Sequence, residues 1–457
     1  MPRNGVKMAV CSTVLRPLYF VIRAGYYQFL HRFHNAMSVL ALLMIKKMSR
    51  TVSFCLLINL FAVSPLCWSD WTGEAGIELR YFTSDAAYNE QFDGFNASVY
   101  LLPEYYADWN ERKDSLVFEP FLRIDQHDPE RNHADLRELH WRHTGNDWEL
   151  KLGVSTIFWG VTESLHLVDV INQTDGVENL DGEDKLGQPM AMLRWIKQWG
   201  TLDVLLMPGF RERQFPSAKG RFSGFLVDTD QPLYESSARD LHTDLALRWS
   251  KVLGDFDVGV SYFRGTSREP RFVLSTDRVS DRGPSLRPFY DQIDQLGVDV
   301  QATLGAWLWK LEAIHRSGQG QSYTASTAGF EYSVYSVFGS DADIGILLEY
   351  SYDQRAQDNL LLSQPLSQPL SQVGPDNDVF VGGRFGFNDM QGSELLAGCA
   401  LDMDSSARFC IIEGSRRLSD QWVVGIEARV FSAIDSDHQF SPVRDDDLIQ
   451  LDFTFHF

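Results

Sequence analysis

Apolar and polar residues alternate with a period of two along most of the chain after residue 70. The final row is the clearest: Ile449, Leu451, Phe453, Phe455 and Phe457 alternate with Gln450, Asp452, Thr454 and His456. Similar rows occupy residues 73–81, 148–158, 344–353 and 422–430. This period predicts β-strands that have one face in apolar and one face in polar surroundings. Tryptophan and tyrosine recur near the row ends, as in the aromatic girdles of transmembrane β-barrels.

Counted row by row, the pattern predicts about eighteen strands, with sixteen as the alternative. The predicted strands begin near residues 73, 94, 115, 134, 147, 188, 201, 241, 255, 292, 306, 321, 342, 378, 392, 407, 421 and 446. A barrel of this size leaves an aqueous channel at its centre, whereas a small barrel is filled by its own side chains.

The links between the predicted strands are sorted by length. Links after even-numbered strands are short, for example 144–147 and 251–254. Every long link follows an odd-numbered strand, for example 160–187 and 214–240. An outer-membrane barrel with both termini in the periplasm requires this sorting. We therefore predict an all-β fold, a single transmembrane antiparallel β-barrel over residues 70–457.

Residues 44–69 have the features of a secretory signal peptide. Basic residues precede an apolar run at 52–63, and Cys67 and Ser69 place small side chains where signal peptidase cleaves, before Asp70. The alternative, a transmembrane anchor, is disfavoured because the apolar run is short. The sequence thus predicts export through the inner membrane with a cleaved signal, and an outer-membrane location.

Residues 1–43 precede this complete signal and contain no acidic residue. We expect them to be a mis-assigned upstream extension that takes no part in the fold.

Removal of residues 1–69 makes the chain strongly acidic. All eight basic residues of that stretch are lost from a total of 41, so 33 remain against 62 acidic residues, a net charge of −29. Such a charge argues against nucleic acid as a partner. It is compatible with a lumen lined for cations, or with calcium-bridged sugars outside the cell.

Only two of the five cysteines, Cys399 and Cys410, remain after cleavage. They flank residues 402–407, which have the composition of a tight turn, so the two thiols can meet across a hairpin and oxidise in the periplasm. Two buried free thiols are the alternative. The cysteine spacing fits no metal site.

The end of the chain resembles a known assembly signal. Phe457 is the last residue, and Phe455 and Phe453 stand two and four positions earlier. This arrangement resembles the signal by which the barrel-assembly machinery recognises outer-membrane proteins. The resemblance implies that machinery as a partner.

A second resemblance lies in the middle of the chain. Trp159-Gly160 is followed by Asp169-Val170-Ile171-Asn172 and then Asp175. A tryptophan-glycine turn before Asp-Val-Ile-Asn-x-x-Asp resembles a motif of several poorly characterised porin-like outer-membrane families of proteobacteria, most strongly over residues 136–215. The resemblance supports the barrel and carries over no catalytic residue.

The link at 158–187 contains both aliphatic residues and carboxylates. If it folds into the barrel, it narrows the pore; the alternative is an external cap packed on neighbouring loops. The candidate constriction residues are Asp169, Asp175, Asp181, Glu183 and Asp184. These carboxylates lack the spacing of an EF-hand loop. We therefore expect no bound metal and no cofactor.

Charged residues also fall on the inward faces of the predicted strands. The candidate lumen charges are Arg80, Arg123, Lys151, Arg248, Glu349 and Arg429. Mixed charge across a pore orients polar solutes and disfavours apolar ones. The alternative is that these residues pair with one another and hold the barrel wall.

A barrel lipid hydrolase is a less favoured interpretation. Such an enzyme needs a nucleophile or activated water beside a histidine with an orienting group. His140 lies near Glu138 on one strand, but no His-x-Ser-Asn-Gly arrangement is present. We expect no catalytic residues.

These features predict an outer-membrane, porin-like channel for passive passage of small hydrophilic solutes. The main alternative is a plugged binding or structural barrel that serves an export or envelope-assembly system. Expected surroundings and partners are outer-membrane lipid and lipopolysaccharide, the assembly machinery and a small hydrophilic solute. A homo-oligomer is compatible with the sequence.

Overall fold

The structure is a computed structural model that describes residues 68–224, 226–275, 285–357, 377–435, 438 and 440–457. The predicted upstream extension and signal peptide, 1–43 and 44–69, lie outside this part of the chain except for Trp68 and Ser69. Within the described residues, no helix is both long enough and apolar enough to cross a membrane.

Eighteen strands form one antiparallel sheet. They are Trp68–Phe82 (β1), Phe95–Trp109 (β2), Asp114–Asp125 (β3), His133–Thr144 (β4), Trp148–Ser155 (β5), Gln188–Lys197 (β6), Gly200–Pro208 (β7), Thr243–Leu253 (β9), Phe256–Thr266 (β10), Gln292–Leu304 (β13), Trp307–Gly318 (β14), Gly320–Val334 (β15), Asp343–Asp353 (β16), Asn377–Gly386 (β17), Glu394–Asp402 (β18), Arg408–Arg417 (β19), Trp422–Ser432 (β20) and Leu448–His456 (β21).

The remaining elements lie in the links. Leu233–Tyr234 (β8), Arg271–Leu274 (β11) and Leu286–Tyr290 (β12) form a separate three-stranded sheet, in which β12 pairs with both others. Short 3-10 helices occupy Pro129–Arg131, Arg239–Leu241, Val337–Gly339, Gln354–Gln357 and Ser441–Val443. The sequence pattern did not predict the small sheet, because its strands are too short to establish a period.

The large sheet is closed by β1, which pairs with both β2 and β21. Leu79, for example, lies opposite Ala97 on one side and Leu451 on the other. The predicted antiparallel barrel of eighteen strands is therefore confirmed, and the sixteen-stranded alternative is wrong. Seventeen barrel strands begin within two residues of the predicted positions, whereas β1 begins at Trp68, before the predicted cleavage point.

The two faces of each barrel strand differ as the alternation predicts. In β14, Trp309 and Leu311 point outward and are exposed, whereas Lys310 and Glu312 point inward and are buried. An outward apolar band is what a barrel in lipid requires. The burial of the inward residues shows in addition that something occupies the lumen at their level.

The long links lie together at one rim of the barrel. They include 83–94, 156–187, 209–242, 267–291 and 433–447, whereas the links at the other rim are short, such as 145–147 and 254–255. One predicted boundary was wrong: β5 ends at Ser155, so Phe158 belongs to the following link instead of the strand.

Two features singled out in the sequence, the cysteine pair and the terminal phenylalanine, lie in the barrel sheet. Cys399 and Cys410 are direct register partners on β18 and β19 and are joined as a disulfide. The backbone N–H of Phe457 donates to the Gly73 carbonyl at 3.0 Å, and the Phe457 carbonyl accepts from the Gly73 N–H at 3.1 Å. The terminal residue therefore belongs to the seam between β21 and β1.

Candidate functional site: a segment inside the barrel

The link between β5 and β6, residues 156–187, enters the lumen; we call it the inner segment. Its Val168, Val170 and Ile171 are almost completely buried. They belong to one apolar cluster with inward side chains of seven strands: Met190, Met192, Leu205, Met207, Ala246, Phe263, Ile293, Ile314, Tyr323 and Ala325. The inner segment is therefore packed against the inner wall formed by β6, β7, β9, β10 and β13–β15.

A buried carboxylate on the far wall holds the first half of the inner segment. Glu312 of β14 accepts hydrogen bonds from the backbone N–H groups of Val161, Thr162 and Val168 at 2.7, 3.1 and 3.1 Å. It also accepts one from the Thr162 hydroxyl at 2.8 Å. A charged acceptor satisfies polar backbone groups that the lumen would otherwise leave unpaired.

A second carboxylate, Glu349 of β16, acts in the same way. It accepts hydrogen bonds from the backbone N–H groups of Glu163 and Ser164, each at 2.8 Å, and from the Ser164 hydroxyl at 2.6 Å. The Glu163 carboxylate itself pairs with Arg384 at 2.5 Å and Lys310 at 3.4 Å. Glu349, one of the predicted lumen charges, thus anchors the inner segment.

The five predicted constriction residues all lie in the inner segment, but in different surroundings. Asp169 and Asp175 are 1% and 0% exposed, and they pair with Lys185 at 3.1 Å and Arg137 at 2.7 Å. Asp181 is partly accessible and pairs with Arg429 at 2.6 Å. Glu183 and Asp184 are accessible. Only the last three are therefore placed to meet a passing ion.

Asp184 has an unusual acidity. Partial loss of hydration inside the barrel, together with the neighbouring carboxylates Glu178 and Asp181, raises the pKa of Asp184 to about 7. Its charge therefore changes near neutral pH.

Arginines of β1, of β3 and of the 3-10 helix Pro129–Arg131 face the second half of the inner segment. Arg123 pairs with Glu78 at 3.0 Å and with Glu178 of the inner segment at 2.7 Å. Arg80 contacts Glu78 at 3.0 Å and donates to the Glu178 carbonyl at 3.1 Å. Arg131 donates to the Val177 carbonyl at 2.9 Å. This side of the wall is thus an ion-pair network that includes the inner segment.

The other predicted lumen charges also have partners. Arg248 makes a bidentate pair with Asp299 at 2.6 and 2.8 Å and lies over the Trp159 ring. Lys151 donates to the Ser155 hydroxyl at 3.1 Å. All six candidates thus carry partners in the described structure, and most of these charges hold the wall or the inner segment.

Space remains between the inner segment and the short-link rim. A cavity of about 530 Å³ lies there, lined on the inner segment by Val161 and on the wall by inward residues that include Arg248, Ser250, Asp257 and Gln301. The lumen beside β6–β15 is thus filled at the level of the apolar cluster, and space remains below it.

The link at 209–242 crosses the long-link rim. Its Arg221 is 2% exposed and donates to Asp446 at 2.8 Å and to the Ser84 carbonyl at 3.1 Å. Gln91 donates to the Arg221 carbonyl at 2.8 Å. Three links from different parts of the barrel are therefore tied together over the β1 side of the opening.

The apolar inner wall was not predicted from the sequence. The strands that form it are apolar on both faces, as in residues 189–193 of β6 and 204–207 of β7. Continuous apolar runs of this kind indicate strands buried on both sides. That signal was available, and it would have placed an apolar partner inside the barrel.

Comparison with known proteins gives likeness of structure only. No protein-family model matches the sequence, and no curated protein matches it. A BenF-like porin from Pseudomonas fluorescens Pf-5 is 8% identical, with 86% of this chain and 98% of that chain covered and a TM-score of 0.49. OpdO of Pseudomonas aeruginosa is 10% identical, with 85% and 96% covered and a TM-score of 0.47. A mutant porin of Rh. blastica is 11% identical, with 85% and 100% covered and a TM-score of 0.40. The assignment of the fold rests on the strand pairing of this chain itself.

Proposed function

We propose that this chain forms a restricted pore in the outer membrane, through which small hydrophilic solutes pass without an energy source. The observation that carries the proposal is that some inward-facing charged side chains remain exposed inside the lumen. The Arg384 side chain, for example, pairs with Glu163 of the inner segment and is still 41% exposed inside the lumen. An unburied charged side chain inside a closed barrel must be hydrated, because loss of its water is costly. We infer that this water forms a continuous route through the barrel.

The proposed route passes between the inner segment and the wall formed by β17–β20. On that wall Glu413 and Glu427 are register partners that face inward. The inner segment presents Asp181 and Glu183 toward the same space. Because the route is bordered mainly by carboxylates, we expect it to favour cations.

The proposed location follows from the outward face of the barrel. Its exposed rows are apolar, as in Ile346, Leu348 and Tyr350 of β16. Lipid and lipopolysaccharide are the expected surroundings, and the signal peptide and the terminal phenylalanines are the expected means of export and assembly. A homo-oligomer is compatible with this face.

A plugged barrel is the second candidate function, and one observation favours it. The inner segment is held by two buried carboxylates and an apolar cluster, and the link at 209–242 covers part of the opening. If these contacts close the lumen, the barrel binds a partner or supports an envelope system and does not conduct.

An enzyme is the least favoured candidate. His140 donates through Nδ1 to Glu138 at 2.7 Å, and Glu138 also accepts from the backbone N–H and hydroxyl of Thr156 at 2.7 and 2.6 Å. These contacts fix the start of the inner segment, which gives His140 and Glu138 a structural role. We propose no catalytic function for them.

Conductance of the purified protein in planar lipid bilayers tests the pore proposal. Discrete open channels with a cation preference support it, and liposome swelling with a panel of sugars, amino acids and small acids then gives the solute class. A folded protein that is silent in both assays supports the plugged barrel. Hydrolysis of phospholipid that is lost in His140→Ala would support the enzyme.

A further inference from the structure

His133, Asp175 and Glu178 form the single group of histidine and carboxylate side chains, among the residues that the structure describes, whose ligand atoms are close enough to share a metal ion. One ligand atom from each lies within 4.8 Å of the others. Asp175 and Glu178 belong to the inner segment, and His133 begins β4. The side chains of Asp175, Glu178 and His133 are 0%, 4% and 10% exposed.

The hydrogen bonding of His133 determines which of its nitrogens is available. Nδ1 lies 3.2 Å from the backbone carbonyl oxygen of Arg131. A carbonyl oxygen only accepts hydrogen bonds, so Nδ1 must carry the proton. When the imidazole is neutral, the lone pair of Nε2 therefore points toward Asp175 and Glu178. This pattern is typical of metal-binding histidines, whose second nitrogen donates to a backbone carbonyl or carboxylate.

The two carboxylates are oriented in a similar way. Arg137 binds Oδ2 of Asp175 at 2.7 Å, and Arg123 binds Oε2 of Glu178 at 2.7 Å. The other oxygens, Asp175 Oδ1 and Glu178 Oε1, are buried and receive no hydrogen bond from any residue that the structure describes. His133 Nε2 is likewise buried without a hydrogen bond. His133 Nε2 and Glu178 Oε1 therefore face each other without a hydrogen bond, with Asp175 Oδ2 beside them, and a cation between the three side chains would satisfy these buried atoms.

The spacing fits a small transition-metal ion. Nε2 of His133 lies 3.4 Å from Oδ2 of Asp175, the oxygen that also accepts from Arg137, and 3.4 Å from Oε1 of Glu178. Nitrogen and oxygen ligands lie about 2.1 Å from a tetrahedral zinc ion, which separates the ligand atoms by about 3.4 Å. An imidazole also disfavours calcium or magnesium, which prefer oxygen ligands.

We propose that His133, Asp175 and Glu178 bind a divalent transition-metal ion of the zinc class, which links the inner segment to β4. This differs from the expectation of no metal drawn from the spacing of the acidic residues, because the histidine comes from outside the inner segment. The proposal does not depend on whether the barrel conducts.

Zinc is the probe for the test. The untagged, folded barrel is treated with a chelator, dialysed against Zn²⁺ at neutral pH, and analysed by mass spectrometry for metal and by calorimetry for affinity. We expect one ion per chain at this site, and an affinity reduced by about 100-fold in His133→Ala. Asp175→Asn and Glu178→Gln should weaken binding in the same direction.

His315→Ala is the matched control, because His315 is exposed on the outer face of β14, where it forms a hydrogen bond with Thr324. It should leave zinc binding unchanged, and gel mobility before and after heating shows that each variant is folded. Zinc bound equally by wild type and His133→Ala overturns the proposal. So does a folded wild-type barrel that binds no zinc, in which case a protonated His133 pairs with the two carboxylates. The wild-type result stands even if His133→Ala does not fold.

Discussion

The carboxylate of Glu312 accepts a hydrogen bond at 2.7 Å from the backbone N–H of Val161, which precedes it by 151 residues. One side chain of the far wall thus determines where the inner segment lies. The same carboxylate holds Thr162 and Val168, so its removal would leave several buried N–H groups without an acceptor.

Replacement of Glu312 with Ala should release the first half of the inner segment. Each buried donor left without a partner costs about 1 to 3 kcal/mol, so the free energy of unfolding should fall. Single-channel conductance should rise or fluctuate between levels. Glu119→Ala is the control, because Glu119 faces the lumen without a hydrogen bond to the inner segment. Identical conductance in both variants would contradict the anchoring role.

The accessible carboxylates, and not the buried ones, should set ion preference. A cation about 4 Å from one carboxylate in water gains about 1 kcal/mol. Replacing Asp181 with Asn and Glu183 with Gln should therefore lower the cation-to-anion permeability ratio roughly fivefold. The measurement is the reversal potential in a salt gradient.

Asp169→Asn and Asp175→Asn serve as the comparison. Both side chains are buried in ion pairs, so these changes should lower stability and leave the permeability ratio nearly unchanged. A larger effect on selectivity from the buried pair than from the accessible pair would show that the route lies elsewhere.

The cation preference should increase between pH 6 and pH 8. The pKa of Asp184 is raised to about 7, so its carboxyl group is mostly neutral at pH 6 and mostly charged at pH 8. Asp184→Asn should reduce this dependence while conductance at pH 6 stays close to the wild-type value. Reversal potentials recorded at both pH values make the comparison, and an unchanged pH profile in the variant would refute the assignment.

The lipid-facing surface can be tested on β16. Leu348 is central in that strand and exposed outward, so Leu348→Arg should cost about 2 to 4 kcal/mol in lipid vesicles. Ser250→Arg is the comparison, because Ser250 faces the lower cavity. Urea unfolding in vesicles measures both. Equal decreases in the free energy of unfolding would contradict the assignment of Leu348 to the lipid face and Ser250 to the lumen face.

Assembly should depend on the terminal aromatic side chain. Phe457→Asp keeps the backbone pairing with Gly73 and removes only the ring, so a decrease in folded outer-membrane barrel would report recognition of the ring. Phe457→Trp should restore most of the folded protein. If Phe457→Asp assembles normally, the terminal signal is not used.

The strands were predictable because a barrel in lipid imposes one rule on every strand: each outward side chain must be apolar. The alternation of short and long links then indicated that consecutive strands run antiparallel and that both termini lie on the same side. The path of the inner segment could not be predicted in this way, because Glu312 and Glu349 have the same alternation pattern as any other lumen residue. Their role depends on backbone N–H groups more than 140 positions away, and no local period records such a contact.

The predicted constriction shows the same limit in its details. Asp175 and Asp184 are both carboxylates of one acidic link, and composition gives no reason to treat them differently. Asp175 is buried in a pair with Arg137, which stands at an irregular position of β4 where the register with β3 shifts between Glu119 and Pro120, whereas Asp184 is accessible. A local irregularity in one strand therefore decides which acid is paired and which is free to titrate.

The pair between Asp181 and Arg429 constrains the order in which the barrel can form. Arg429 lies 248 residues after Asp181, on the penultimate strand of the sheet. During synthesis and export, the inner segment therefore emerges long before this partner exists. The residues that anchor it, Glu312 of β14, Glu349 of β16 and Arg429 of β20, are synthesised in that order. The last of them precedes only β21, the strand that closes the barrel. The full set of contacts that hold the inner segment is consequently complete only after β20 has joined the sheet.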